Sequence, residues 1–312
     1  MGPAAIAAGF AADRLLGDPA RRHPVAGFGR LAAELEAALW RPSRAVGCVY
    51  AAALVAGAAA AVAALDRHAR RAPLARDALG ATVLWAALGG RSLERAALAV
   101  ADAVAAGDIE RARALVPALV GRDPDSLDAA GLVRGAIESV AENTSDAVVA
   151  PLLWAALLGP AGAAGHRAAN TLDAMVGHRS PRHRRFGWAA ARLDDAANWP
   201  AARLTVAFGA IAGAVHAGRG RGAAAWRAAR QDARAHPSPN AGPVEAAFAR
   251  ALGVRLGGPT VYAHGTEERP VLGEGRAPVC ADVRAAVRLA AAVDRLALGV
   301  ALGLAAARGR AR

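Results

Sequence analysis

Hydrophobic positions fall along this chain in long blocks separated by short arginine-rich stretches. The longest block, residues 45–65 (AVGCVYAAALVAGAAAAVAAL), runs for 21 residues without a charge. At about 1.5 Å per residue such a helix is about 30 Å long, the thickness of a hydrocarbon core. It has no polar face to show to water, so a membrane span is predicted. Weaker blocks lie at 1–12, 78–90, 147–165, 204–218 and 289–307. Of these, 147–165 is interrupted by Pro151 and by Gly159-Pro160, and 289–307 is apolar apart from Asp294 and Arg295.

These blocks predict one all-α integral membrane domain over 1–312, a multi-pass helical bundle whose broken or re-entrant helices line a cavity. Between the blocks, residues 91–106 carry an amphipathic period (Leu93, Ala97, Val100, Val104) that stops at Gly107. This opens a polar helical region, 91–146, in which Asp125 is the expected N-cap of a second helix and Asp128 lies in its first turn. Residues 166–203 and 219–284 read as loop regions. The second is rich in Gly, Pro and Arg, has no alternating β-branched run, and predicts no sheet.

Composition sharpens this picture. Hydrophobic residues make up 55% of the chain but aromatics only 4%, which suits helices that approach closely through small side chains. Mean hydropathy is +0.24. The net charge is +12, and with no lysine present all 38 basic residues are arginine. A Walker A loop needs a lysine on the β/γ-phosphates, so none exists here. Phosphate must be held by arginine forks, backbone N–H groups or a metal ion. The arginines sit between apolar segments and not in an aromatic-interleaved patch, so no nucleic-acid partner is expected. Cys48 and Cys280 are isolated, which indicates neither a zinc site nor a disulfide framework. The N-terminal apolar run lacks a basic n-region and reads as retained, not as a cleaved signal.

Three polar clusters stand out. Arg134, Glu138, Glu142 and Asp146 recur every four residues and share one helical face. This is either a solvated stripe or a site, since Glu142 and Asp146 repel each other unless a cation sits between them, and oxygen ligands suit Mg²⁺. The second cluster is NTLDAMVGHRSPRHRRFGWAAARLDDAANW, 170–199. Asn170 pairs with Asp173 at i, i+3 and Asp194 with Asn198 at i, i+4, flanking His178, Arg179, Arg182, His183, Arg184 and Arg185. Spacing leaves two readings open: a metal and phosphate site, or a basic loop facing anionic lipid. The third, DARAHPSPNAG at 232–242, offers turn chemistry at Ser238-Pro239-Asn240 that could receive an anion. His236 and His23 each precede proline, and His23 reads as a plain loop histidine.

In order, DRLLGDPARRHPVAGFGR (13–30), VGRDPDSLDAAGLVRGAIESVAENTSDAVVAPLLW (120–154), the 170–205 segment and DARAHPSPNAGPVEAAFARALGVRLGGPTVY (232–262) resemble the CobD/CbiB family of cobalamin biosynthesis. The resemblance implies a multi-pass enzyme of the inner (cytoplasmic) membrane, an adenosylcobinamide-phosphate synthase. Such a ligase joins adenosylcobyric acid to (R)-1-amino-2-propanol O-2-phosphate, or a related amino-alcohol, using ATP and Mg²⁺. The partners implied are the corrinoid, the amino-alcohol phosphate, ATP and membrane lipid, with room for association with other late cobalamin-pathway enzymes. Chemistry then suggests roles. Glu138, Glu142, Asp194 and His236 are expected as catalytic groups, with His236 taking the substrate's ammonium proton. Arg134, Asn143, Asn170, Arg179, Arg192, Asn198, Ser238 and Asn240 are expected to bind substrate or phosphate, and Asp146, Asp173 and Asp195 to bind the metal.

One tension follows. If 147–165 and 204–218 cross a bilayer completely, the acids and His236 fall on opposite sides. A single site therefore predicts that both segments are re-entrant, broken or shallow, with the break at Gly159-Pro160. The rival reading is a membrane transporter with a midplane polar site at Asp294–Arg295.

Overall fold

The computed structural model describes residues 1–19, 23–178, 180–262 and 265–310. Its helices are α1 (Pro3–Leu16), α2 (Pro24–Leu39), α3 (Arg44–His68), α4 (Pro73–Ala87), α5 (Gly90–Ala105), α6 (Ile109–Leu115) and α7 (Ala129–Thr144). There follow α8 (Ala150–Leu158), α9 (Pro160–Leu172), α10 (His183–Phe186), α11 (Trp188–Ala217), α12 (Arg219–Gln231), α13 (Ala241–Leu252) and α14 (Cys280–Arg310). Between α13 and α14 lies one antiparallel hairpin, β1 (Leu256–Tyr262) and β2 (Gly265–Leu272). The chain divides into two compact units. Unit 1 comprises Met1–Arg91, Asp146–Ala201 and Ala297–Arg312; unit 2 comprises Ser92–Ser145 and Ala202–Leu296.

The helical expectation holds; the multi-pass one is not confirmed. Among the described residues, two helices are long and apolar enough to cross a membrane, Arg44–Arg71 and Cys280–Arg310. Blocks 78–90 and 147–165 form shorter helices, and 1–12 belongs to the 14-residue α1. The expected break at Gly159-Pro160 is present. Gly159 adopts φ +75°, α8 ends there, and Pro160 starts α9. A proline at the first helical position gives up no hydrogen bond, which is why the new helix begins on it. The 204–218 segment, by contrast, is unbroken, because α11 runs continuously to Ala217 even with Pro200 inside it.

Unit 1 packs through small residues. A Cβ on Gly47 of α3 would lie 1.8 Å from the Phe186 carbonyl oxygen, and one on Gly187 would lie 1.6 Å from that of Val176. Only bare glycine lets these backbones meet. Around them Ala32, Tyr50, Leu54, Leu172, Val176 and Phe186 form a buried cluster. The Tyr50 and Phe186 rings lie 4.9 Å apart, and the Tyr50 hydroxyl donates to the Ala32 carbonyl at 2.9 Å. Arg308 closes α8 by donating from Nη1 to the Ala156 carbonyl at 2.7 Å, satisfying an acceptor that a helix end leaves free.

In unit 2, α7 starts at Asp128, whose carboxylate accepts from Gly131 N–H at 2.7 Å. The expected cap, Asp125, instead belongs to a short 3₁₀ turn capped by Asp123. The α5 period holds, with Ala97 and Val100 fully buried and Gly107 at φ +77°. The region expected as loop, 219–284, folds into α12, α13 and the hairpin. The hairpin shows no alternating period because Gly258 and Pro259 pair with Arg269 and Glu268 and the register slips at Gly257. Leu256 and Leu272, paired at its base and fully buried, anchor it to the core. Residues 166–203, also expected as loop, are mostly α9, α10 and the start of α11.

Candidate functional site

Unit 2 holds a buried charged cluster. Glu138 accepts from the Arg122 guanidinium on one oxygen and from Gly257 N–H at 2.7 Å on the other. Both of its oxygens are thereby occupied, which makes it a strut between α7, Arg122 and β1. One turn on, Glu142 is half-buried. Burial raises its pKa, Arg269 opposes that, and the negative Glu138 adds to it. Glu245 of α13 is buried, and its carboxyl is pushed well above the ordinary range by burial and by Glu138 and Glu142. Carboxyls so placed favour the protonated form more than exposed ones do.

His236 borders the same charges. Its Nδ1–H donates to the Ser238 carbonyl at 3.2 Å, which leaves the buried Nε2 as the ring's acceptor nitrogen, with no partner among the described residues. Burial lowers its pKa, so the ring is neutral at pH 7. It lies against Gly242, where a Cβ would come 2.5 Å from the imidazole's own Cβ. The Ser238 hydroxyl accepts from Asn240 N–H at 3.2 Å and Ala241 N–H at 3.1 Å, so it caps the start of α13. Asn240 accepts from Arg203 at 3.0 Å. Asn143 donates back to the Ser139 carbonyl at 3.0 Å.

A cavity of about 450 Å³ in this unit is walled by Arg134, Arg255, Asp128, Gly257 and Gly258. Arg134 donates to the carbonyls of Gly257 at 2.8 Å and Pro259 at 3.1 Å, which fixes its guanidinium on the cavity wall. Two guanidinium groups beside the glycine pair at the start of β1 make a basic receptacle for an oxyanion.

Unit 1 holds a hydrogen-bond network. The Asp194 carboxylate accepts from Asn198 at 2.8 Å and from Asn170 at 3.3 Å. Asn198, fully buried, meets His166 Nε2 at 2.7 Å through its own oxygen. Asn170 is in turn approached by Arg167 at 3.5 Å. Asp195 lies on the next helical face and pairs with Arg192 at 3.0 Å, at a position where Arg192 is 56% exposed. Asp146 and Asp173 each fall in a π-helical turn, 145–149 and 173–177. The Asp173 carboxylate covers Gly177, where a Cβ would lie 1.8 Å away. His23 is the N-cap of α2, accepting from Val25 N–H at 3.1 Å, and is more than a loop histidine.

The expected site residues are thus gathered in two sets. Arg134, Glu138, Glu142, Asn143, His236, Ser238 and Asn240 belong to unit 2; Asp146, Asn170, Asp173, Arg192, Asp194, Asp195 and Asn198 belong to unit 1. Arg179 lies outside the described residues. No three His, Cys, Asp or Glu side chains converge at metal-binding distance among the described residues, so Asp146, Asp173 and Asp195 form no cage of their own. Asp294 is 3% exposed while Arg295 is exposed, so the two do not face one another as a midplane pair. Arg122, Arg255, Glu245, Arg269, His166 and Arg167 were missed by periodicity. Glu245 carried a readable signal, a lone acid amid Val244, Ala246, Ala247 and Phe248.

Comparison with known proteins then supplies a context. A family described as CobD/Cbib protein matches residues 6–290. A "Cobalamin biosynthesis protein CobD" of Mycobacterium tuberculosis is 54% identical over 283 residues, covering 90% of this chain and 89% of the relative. The protein of the same name from Chromobacterium violaceum is 46% identical over 306 residues, covering 95% and 93%. That from Geobacter metallireducens is 43% identical, covering 89% and 88%. No solved structure matches the chain.

Proposed function

Since the chain belongs to the CobD/CbiB family, we propose that it is the ATP-dependent amide ligase of cobalamin biosynthesis, joining adenosylcobyric acid to an amino-alcohol phosphate such as (R)-1-amino-2-propanol O-2-phosphate. The product is adenosylcobinamide phosphate. The two long apolar helices support placing it in the cytoplasmic membrane.

A carboxylate does not react with an amine at neutral pH. ATP would transfer its γ-phosphoryl group to the carboxylate oxygen, releasing ADP and leaving an acyl phosphate. The free amine then attacks the carbonyl carbon, the C–N bond forms, and inorganic phosphate departs with the C–O bond's electrons. The protein's part is positioning, charge neutralisation and one proton. Arg134 and Arg255 would hold phosphate oxygens. His236, neutral and with Nε2 unpartnered, would accept the ammonium proton that must leave before attack. Mg²⁺ would enter with the nucleotide, since magnesium typically needs only one or two carboxylates besides phosphate oxygens.

The observation that carries this reading is the arginine-walled cavity of unit 2; Glu138, which binds Gly257 on its wall, also acts on His236 through its charge. The test is purified protein with ATP, Mg²⁺, adenosylcobyric acid and the amino-alcohol phosphate, followed by mass spectrometry of corrinoid and nucleotide. One ADP per amide is expected. Formation of AMP would refute the acyl-phosphate route, and the absence of any amide would refute the ligase.

A further inference from the structure

Unit 1 contains a second cavity, of about 320 Å³, between α2, α3, α4 and α9. Its walls are almost wholly apolar, supplied by Val25, Phe28, Val62 and Val83 and by alanine methyls, with Arg167 the one charged residue among them. The Arg167 Nε is out of solvent and has no hydrogen-bond partner among the described residues. Its Nη1 reaches only a 3.5 Å contact with Asn170. Burial presses the guanidinium pKa down, and the fields of Asp18 and Asp146 only partly offset this. A cation with donors to spare beside an apolar pocket is stabilised by a ligand that brings an anion and a hydrocarbon together.

One wall of the pocket is α3, one of the two helices able to cross a membrane. Elsewhere on α3, Val49 is 68% and Leu65 55% exposed, so this helix turns an apolar surface outward. A short polar phosphate would leave the pocket's hydrocarbon walls uncovered, whereas an acyl chain would fill them. We propose that unit 1 binds one anionic phospholipid, its phosphate on Arg167 and an acyl chain between α2, α3, α4 and α9. The site is separate from the ligation reading and does not depend on it.

The test uses purified full-length protein, stripped of lipid and titrated in detergent with phosphatidylglycerol or phosphatidylcholine, with bound lipid counted by native mass spectrometry. Wild type should retain one phosphatidylglycerol with at least about fivefold preference over phosphatidylcholine, the factor a single basic side chain gives against anionic lipid. Arg167→Gln should abolish the preference. Val83→Phe, which keeps the charge but fills the pocket, should lose both lipids, and it carries the test if Arg167→Gln fails to fold. Millimolar inorganic phosphate should not displace the lipid. Displacement by phosphate would reassign the site to a free phosphorylated ligand, and equal lipid binding by wild type and both variants would overturn the proposal.

Discussion

Replacing Glu138 by alanine tests whether this residue is a strut or a reagent. Its side chain and that of Arg122 are each 5% exposed and paired with one another. Removing the carboxylate breaks a buried ion pair, which costs about 3–5 kcal/mol. It also removes the acceptor of Gly257 N–H, costing about 1–3 kcal/mol if that donor stays buried. The terms are not strictly additive, so a loss of about 4 kcal/mol or more is expected. At about 2–4 °C per kcal/mol, thermal unfolding in a fixed detergent should fall by about 10 °C. The control is Arg122→Met with Glu138→Leu. Replacing a whole buried pair with apolar side chains is often neutral, so the double variant should recover most of the loss. Ligation rates measured on both variants below their unfolding transitions separate folding from chemistry. If Glu138→Ala melts within about 2 °C of wild type, the strut assignment is wrong. If it does so without any ligation, Glu138 acts on the substrate.

Other outcomes follow from the same geometry. Gly47→Ala drives a methyl into the Phe186 carbonyl. Overpacking against backbone should cost about 3 kcal/mol, seen as a lower midpoint and as faster proteolysis near residue 186. Glu245 has a folded pKa raised by burial above its unfolded value of 4.5. The native state therefore holds more protons just above that value, and wild-type stability should decline as pH rises through the folded pKa. Glu245→Gln should not show that decline, so the gap between the two melting curves should widen from pH 5 to pH 8; parallel curves would refute a buried, proton-holding carboxyl. Asn198→Ala should leave His166 and Asp194 each short of a partner and lower stability by about 1–3 kcal/mol, with no change expected for Arg192→Ala on the exposed face.

Local features of this chain were legible from the sequence, and distant ones were not. The charge-free run in α3, the α5 period and the Gly159-Pro160 break each depend on a few adjacent residues, and all three are present. Asp128 and not Asp125 caps α7 because Pro124 starts a separate 3₁₀ turn that already uses Asp123 and Asp125. The hairpin has no alternating pattern since its stability comes from Leu256, Leu272 and the bond from Gly257 to Glu138. For the site, spacing identified Asp194 with Asn198 and Glu138 with Glu142. It gave no sign of Arg122 or His166, whose partners lie 16 and 32 residues away.

The arrangement of Arg308 over the end of α8 has a consequence in time. Ala156 and Arg308 are 152 residues apart, and a ribosome adds about 5–20 residues per second. The C-terminal carbonyl of α8 therefore waits roughly 8–30 s for its donor, while the second segment of unit 2, Ala202–Leu296, is made in between. During that interval water, lipid headgroups or a chaperone must occupy the position.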